Sequence, residues 1–188
     1  MGVMTTTSIK PGGLARLRAL GLSEKIWFNA IWFQSTWFLC VLGRDPWLPA
    51  ALAMVSLHLL LVPALGRELR TLLPLVAVGV GVDAALSAFG VFDFKGALLP
   101  LWLVLLWFAF ATTFTRAFAV FGKRPALAAL VGGIGVPFNY GVGANLGAVV
   151  LPLEPWLTAG VLVVVWAVLF PLLFRLAALL NPSGTQPS

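Results

Sequence analysis

The chain has 188 residues, 61% of them hydrophobic and 10% charged, with a mean hydropathy of +1.03. A soluble domain of this size leaves too much of its chain exposed to hide so much apolar surface, so the composition excludes a water-borne globule and makes the bilayer the solvent. The net charge of +6 reflects membrane orientation rather than a nucleic-acid partner, because the charges are placed where membrane topology requires them.

Residues 1–23 form a basic lead on the cytoplasmic side. Its opening "MGVMTT" fits a myristoylation pattern formally, but the match is short and a multi-pass protein needs no such anchor. "GLARLRALGL" reads either as an amphipathic turn on the inner leaflet, with Arg16 and Arg18 at the headgroups, or as a disordered lead. No small-residue cleavage site follows the first apolar run, so no cleavable signal peptide is expected. Six apolar segments then follow, near 24–43, 47–65, 71–91, 98–121, 126–151 and 155–180, and the tail "NPSGTQPS" (181–188) reads as disorder. A span needs about 20 apolar residues to cross a core of about 30 Å. The fold expected is therefore all-α, a polytopic bundle of six transmembrane helices over 24–180.

An even number of spans puts both termini on one side. With that side cytoplasmic, Lys10, Arg16, Arg18, Lys25, Arg67, Arg70, Arg116, Lys123, Arg124 and Arg175 lie inside and only Arg44 and Lys95 outside. Ten against two follows the positive-inside rule, and the reverse orientation would invert it. Trp27 marks the inner rim; Trp47, Trp102 and Trp156 lie near outer ends. Trp27, Trp32 and Trp37 turn about 140° per step on a helix, so they form no single stacking face and read as lipid contact and packing.

A charge at mid-bilayer costs about 2.5–3.5 kcal/mol on insertion scales, which singles out Asp83 in "VGVGVDAALSAFG". At 1.5 Å per residue Asp83 lies roughly 18 Å above Thr71, while His58 in "AMVSLHLLL" lies at roughly 10 Å, too far apart for an assumed ion pair. Depth sorts the polar residues into an inner layer of Asn29, His58 and Thr115 and a middle layer of Asp83 and Asn139, with Tyr140 one residue on. Asp83 and His58 are the candidate catalytic groups, and Asn29, Asn139 and Tyr140 the candidate ligand contacts. Asn29, Gln34 and Thr112 also suit interhelical hydrogen bonding.

Several chemistries lack parts. One histidine and one thiol, Cys40, are too few for a metal site, so neither metal nor cofactor is expected. No Gly-x-Ser-x-Gly elbow surrounds Ser56 or Ser87, and Asp83 has no second carboxylate within the spans. What remains is a proton-coupled transporter carried by Asp83 and His58, or acid–base chemistry by the same pair on a lipid.

"GGIGVPFNYGVGANLGA" (132–148) is not a phosphate loop: G-x-G-x-x-x-G is one residue too long, and neither the strand before it nor the Lys-Ser/Thr after it is present. On a helix, Gly135, Asn139, Gly143 and Gly147 make one stripe and Gly133, Pro137, Gly141 and Asn145 the next, suiting close helix packing. Pro137 removes a backbone donor and clashes with the carbonyl of Gly133. The segment is thus either a kinked packing helix or a broken helix lining a site.

The stretches "WFLCVLG" (37–43), His58, "GVGVDAALSAFG" (79–90), "PLWLVLLWFAFATTF" (100–114) and "PFNYGVGANLGA" (137–148) together resemble a bacterial inner-membrane family known as a domain of unknown function. The family pattern carries Gly-Pro where this chain has Val136-Pro137, and usually a basic residue where it has Asn145. Members are often encoded beside fatty-acyl methyltransferase-like and flavoprotein-like enzymes, which implies membrane-lipid modification. The expected role is an accessory subunit or intramembrane enzyme of that class, with the proton-linked transporter and a structural partner protein as alternatives. Its expected partners are the bilayer and a second membrane protein or a further copy of the chain.

Overall fold

The computed structural model describes residues 13–181, so the myristoylation-like opening and nearly all of the tail lie outside the described residues. Among the described residues seven α-helices follow in order: α1 (Gly13–Ala19), α2 (Ile26–Phe38), α3 (Leu48–Leu61), α4 (Leu65–Ala88), α5 (Leu101–Thr113), α6 (Pro125–Asn145) and α7 (Pro155–Leu180). Among the described residues extended pairing is confined to two isolated bridges, Asp93 with Val150 and Phe94 with Ala97. The all-helical reading stands.

Four helical stretches among the described residues are long and apolar enough to cross a membrane: Ile26–Gly43, Leu65–Ala88, Pro125–Asn145 and Pro155–Leu180. Asp45–Leu61 and Leu101–Thr113 are apolar but shorter. The outer surface of the long helices is itself greasy. Ile31, Leu73, Phe138 and Val164 are each at least half exposed, the pattern of side chains that face lipid. By length and composition this is a membrane protein.

The expected segment 98–121 contracts to the 13 residues of α5, about 20 Å of helix. Its start is set by Pro100. At its end Thr112 and Thr113 bond back to the carbonyls of Ala109 and Phe110, and Arg116 is then drawn into the interior by two glutamates. α5 is apolar all round, as a buried helix should be, and it packs against α2, α3 and α4 as the centre of the bundle.

α2 runs on through a π turn over Leu39–Gly43, within the stretch "WFLCVLG". A Cβ on Gly43 would collide with the ring of Trp47, so only glycine lets the chain turn there. At one end of the bundle Arg18 Nε donates to Leu60 O at 2.8 Å and Ser23 Oγ to Leu61 O at 3.3 Å, capping the last carbonyls of α3. Residues 13–19 are thus helical and docked. At the opposite end Arg44 donates to Gly147 O at 2.9 Å and Leu146 O at 3.4 Å, closing α6. Asp93 and Val150 exchange two backbone hydrogen bonds of 2.9 Å beside it.

The glycine-rich segment is a continuous helix from Pro125 to Asn145, with Pro137 inside it. The broken-helix expectation is corrected: the 21 residues of α6 span about 31 Å, so no surplus length is left to unwind. The packing assignment moves as well. A Cβ at Gly135, Gly141 or Gly143 meets open space. At Gly132 it would collide with Phe170 Cβ and come within 2.6 Å of the Trp166 carbonyl, and at Gly133 within 3.2 Å of Ala167 Cβ. The closely packed α6–α7 pair is therefore built on Gly132 and Gly133, because these two point at α7. Gly147 lies past the helix at φ +75°. Ala148 N bonds to Gly143 O and Gly147 N to Ala144 O, both at 2.9 Å, which makes it the left-handed residue of a Schellman cap.

Candidate functional site: an aromatic groove backed by Asp83

Asp83 is fully buried on α4. Tyr140 of α6 donates its hydroxyl to Asp83 Oδ1 at 2.6 Å, and Trp107 of α5 donates Nε1–H to Oδ2 at 2.8 Å. Each carboxylate oxygen thus has one donor, which offsets much of the cost of burying it; hydrogen bonds to charged groups contribute about 1.5–3 kcal/mol each. Gly79, one turn before Asp83, makes this possible. A Cβ there would occupy the place of the Trp107 ring.

Tyr140 and Trp107 face a cavity of about 260 Å³ with their other surfaces. It runs between α2 and α6 over a floor of α5 and α7, and aromatic rings dominate its wall, among them Phe33, Trp37, Trp107, Phe110, Tyr140 and Trp166. Its α6 wall extends from Val131 to Gly143, about 18 Å of helix. Gln34 and Asn139, both exposed, stand on its two rims. Tyr140 stacks on Phe92 at 4.6 Å, and Trp107 on Trp166 at 5.7 Å. Trp166 is buried, lines the groove, and its indole N–H has no acceptor among the described residues. Largely apolar walls with a few polar groups are the usual make-up of a ligand site.

The middle layer is thus partly assembled. Asp83 and Tyr140 meet, whereas Asn139 turns its amide back to Gly135 O at 2.8 Å and reaches the groove only as a rim residue. Gly135 and Gly143 line the groove, and their missing side chains keep it open. Gly141 neither packs nor lines it, and Pro137 sits within the unbroken helix.

His58 lies in a separate centre. Its Nε2 meets Glu68 Oε1 at 3.0 Å, and its ring lies tilted against Trp32 with centroids 4.8 Å apart. An ionised carboxylate only accepts, so that nitrogen carries the hydrogen. Arg116 grips both oxygens of Glu68 at 2.9 Å and reaches Glu24 at 3.0 Å. Burial opposes the charged form of Arg116, but the Glu68 hydrogen bonds and the charges of Glu68 and Glu24 outweigh it and raise its pKa above the ordinary value. Asn29 donates to Thr112 Oγ1 at 2.8 Å and accepts from Ala117 N at 3.3 Å, joining α2 to α5 as interhelical hydrogen bonding. Thr115 accepts from Arg116 at 3.0 Å. The inner layer is therefore a lock of ion pairs, and His58 and Asp83 do not act on one another.

Glu24, Glu68, Arg116 and Trp107 are the members that sequence reasoning leaves out. A signal exists for the glutamates: Glu24 and Glu68 are the two acidic residues among the ten cations of the basic end. Trp107 has no such marker among eight tryptophans.

A family model described as a protein of unknown function (DUF2878) matches residues 26–172, well over half of the chain. The chain belongs to the DUF2878 family. Apart from Glu24, both polar centres fall inside the matched region, as does the whole groove. No curated protein and no solved structure matches this DUF2878 chain.

Proposed function

We propose that this DUF2878 protein is a multi-pass protein of the bacterial inner membrane that holds an acyl chain for membrane-lipid modification, as an accessory subunit or intramembrane enzyme. In this reading all six apolar helices cross the bilayer and both termini are cytoplasmic. The ten-to-two division of basic residues supports that orientation. The short α5 needs no full span of helix, because its flanking backbone is sheltered by protein.

The observation that carries the reading is the groove. It is aromatic and apolar, it lies between helices whose outer faces are greasy, and its length of about 18 Å compares with one leaflet of a core about 30 Å thick. Asp83 lies behind the wall, so it acts through Tyr140 and Trp107 as a positioning residue. Tyr140 is the group that meets the ligand. Comparative lipidomics of a deletion strain tests the proposal: a changed fatty-acyl profile, restored by the wild-type gene and not by Gly135→Leu, is expected. An unchanged profile would sink it.

One observation favours a second reading, a proton-linked transporter: Asp83 has no cationic partner among the described residues, as suits an interior proton carrier. In that case Asp83→Asn abolishes proton-coupled uptake and leaves the acyl profile of the strain unchanged.

A further inference from the structure

A second cavity, of about 470 Å³, opens at the end of the bundle opposite α1. Phe94, Trp102 and Ala148 line both it and the aromatic groove, so the two spaces lie side by side and share a wall. Arg44 and Lys95 line the second cavity. They are also the two basic residues that this end of the bundle carries among the described residues. If cations are depleted here for topological reasons, the two retained ones need a reason to be in the same cavity.

Their local structure agrees. Arg44 (φ 49°) and Lys95 (φ 57°) are the two non-glycine residues with positive φ among those described, a conformation that costs free energy and gathers at ligand sites. Arg44 spends two of its five N–H donors on the end of α6 and stays partly exposed. The Lys95 ammonium is exposed and has no ion-pair partner among the described residues. Asp45 is on the cavity wall too, but pairs with neither cation. Two cations and one carboxylate thus line the cavity, and the Asp93 carboxylate beside it is taken up by the backbone N–H groups of Lys95 and Gly96, at 2.8 and 3.3 Å.

We propose that one anionic amphiphile fills both spaces, its acyl chain in the aromatic groove and its phosphate or carboxylate head at Arg44 and Lys95. The inference rests on the acyl-groove reading and adds the head-group chemistry and the face from which the ligand enters. A zwitterionic lipid brings its own cation to the same place and loses most of the charge attraction. A free anion lacks the chain that fills the groove.

The test is native mass spectrometry of the delipidated full-length protein, titrated separately with phosphatidylglycerol, phosphatidylcholine, oleate and inorganic phosphate. One phosphatidylglycerol or one oleate should bind at least about tenfold more tightly than phosphatidylcholine. Whichever of the two binds more tightly identifies the head as phosphodiester or carboxylate. Lys95→Gln should remove most of that preference and leave phosphatidylcholine binding unchanged. Arg44→Gln should do so too, but Arg44 also closes α6, so Lys95→Gln is the deciding variant. Gly143→Leu, which fills the groove, should abolish binding of every lipid. Binding lost in Gly143→Leu with head-group preference intact in Lys95→Gln would overturn the anionic head and keep the acyl groove. Binding intact in both variants would overturn both readings. Inorganic phosphate retained as well as phosphatidylglycerol would show a free-anion site and overturn the amphiphile.

Discussion

Glu68 and Asp83 stand about 22 Å apart on the same helix, α4, and the protein neutralises them by opposite means. Glu68 is surrounded by full charge: Arg116 holds both of its oxygens and His58 meets one. Asp83 is surrounded by neutral donors, one phenol and one indole. The first arrangement ties α4 to α3, to the turn after α5 and, through Glu24, to the turn before α2. It fixes the bundle and borders no groove. The second puts a buried carboxyl behind the groove wall and holds its two donors in place. One end of α4 is thus built to stay put, and the stretch near its other end to present a surface.

The sharpest way to break that contrast is Arg116→Ala, which strands Glu68 with little solvent. Removing one partner of a buried ion pair costs about 3–5 kcal/mol, and thermal unfolding in detergent should show a loss of that order. Adding Glu68→Gln should recover part of it; a fully additive double variant would mean that the pair is not a lock.

Gly132→Ala comes next. Overpacking costs about 1–3 kcal/mol, and here the new methyl drives into the Phe170 side chain and the Trp166 carbonyl. The same unfolding assay should register it, and an unchanged melting curve would refute Gly132 as the packing glycine.

Tyr140→Phe removes one of the two donors to Asp83. A loss of about 1.5–3 kcal/mol is expected from a hydrogen bond to a charged group, together with weaker acyl-chain retention, read by native mass spectrometry. Stability lost with retention unchanged would make the Asp83 centre another structural lock and erase the contrast.

Gly135→Leu has the smallest expected effect on stability, within about 0.5 kcal/mol, because its Cβ meets open space. It should nevertheless empty the groove of lipid. Gly132 and Gly135 are three residues apart, so opposite outcomes from them would separate packing from binding on one helix.

Much of this was legible in the chain. Hydropathy located the apolar segments to within a few residues at most ends, and it failed at 98–121, where Arg116 is drawn inward by glutamates distant in sequence. The cost of a buried charge singled out Asp83, and depth put Tyr140 near its level. Depth alone also ranked Asn139 with Asp83. One residue turns a side chain by about 100° around the helix, and that rotation sends Tyr140 to the carboxylate and Asn139 to the rim.

The sequence by itself determined the properties that are local or additive: helix, apolar surface, a basic and a sparsely charged end, and membership of DUF2878. The tertiary structure decided which of several similar residues does what. Gly132 and Gly133 pack while Gly135 and Gly143 leave space; Trp107 alone among the tryptophans reaches Asp83; Glu68 rather than Asp83 takes His58. Those choices depend on the rotation and crossing of helices in contact, which no periodicity within one helix specifies.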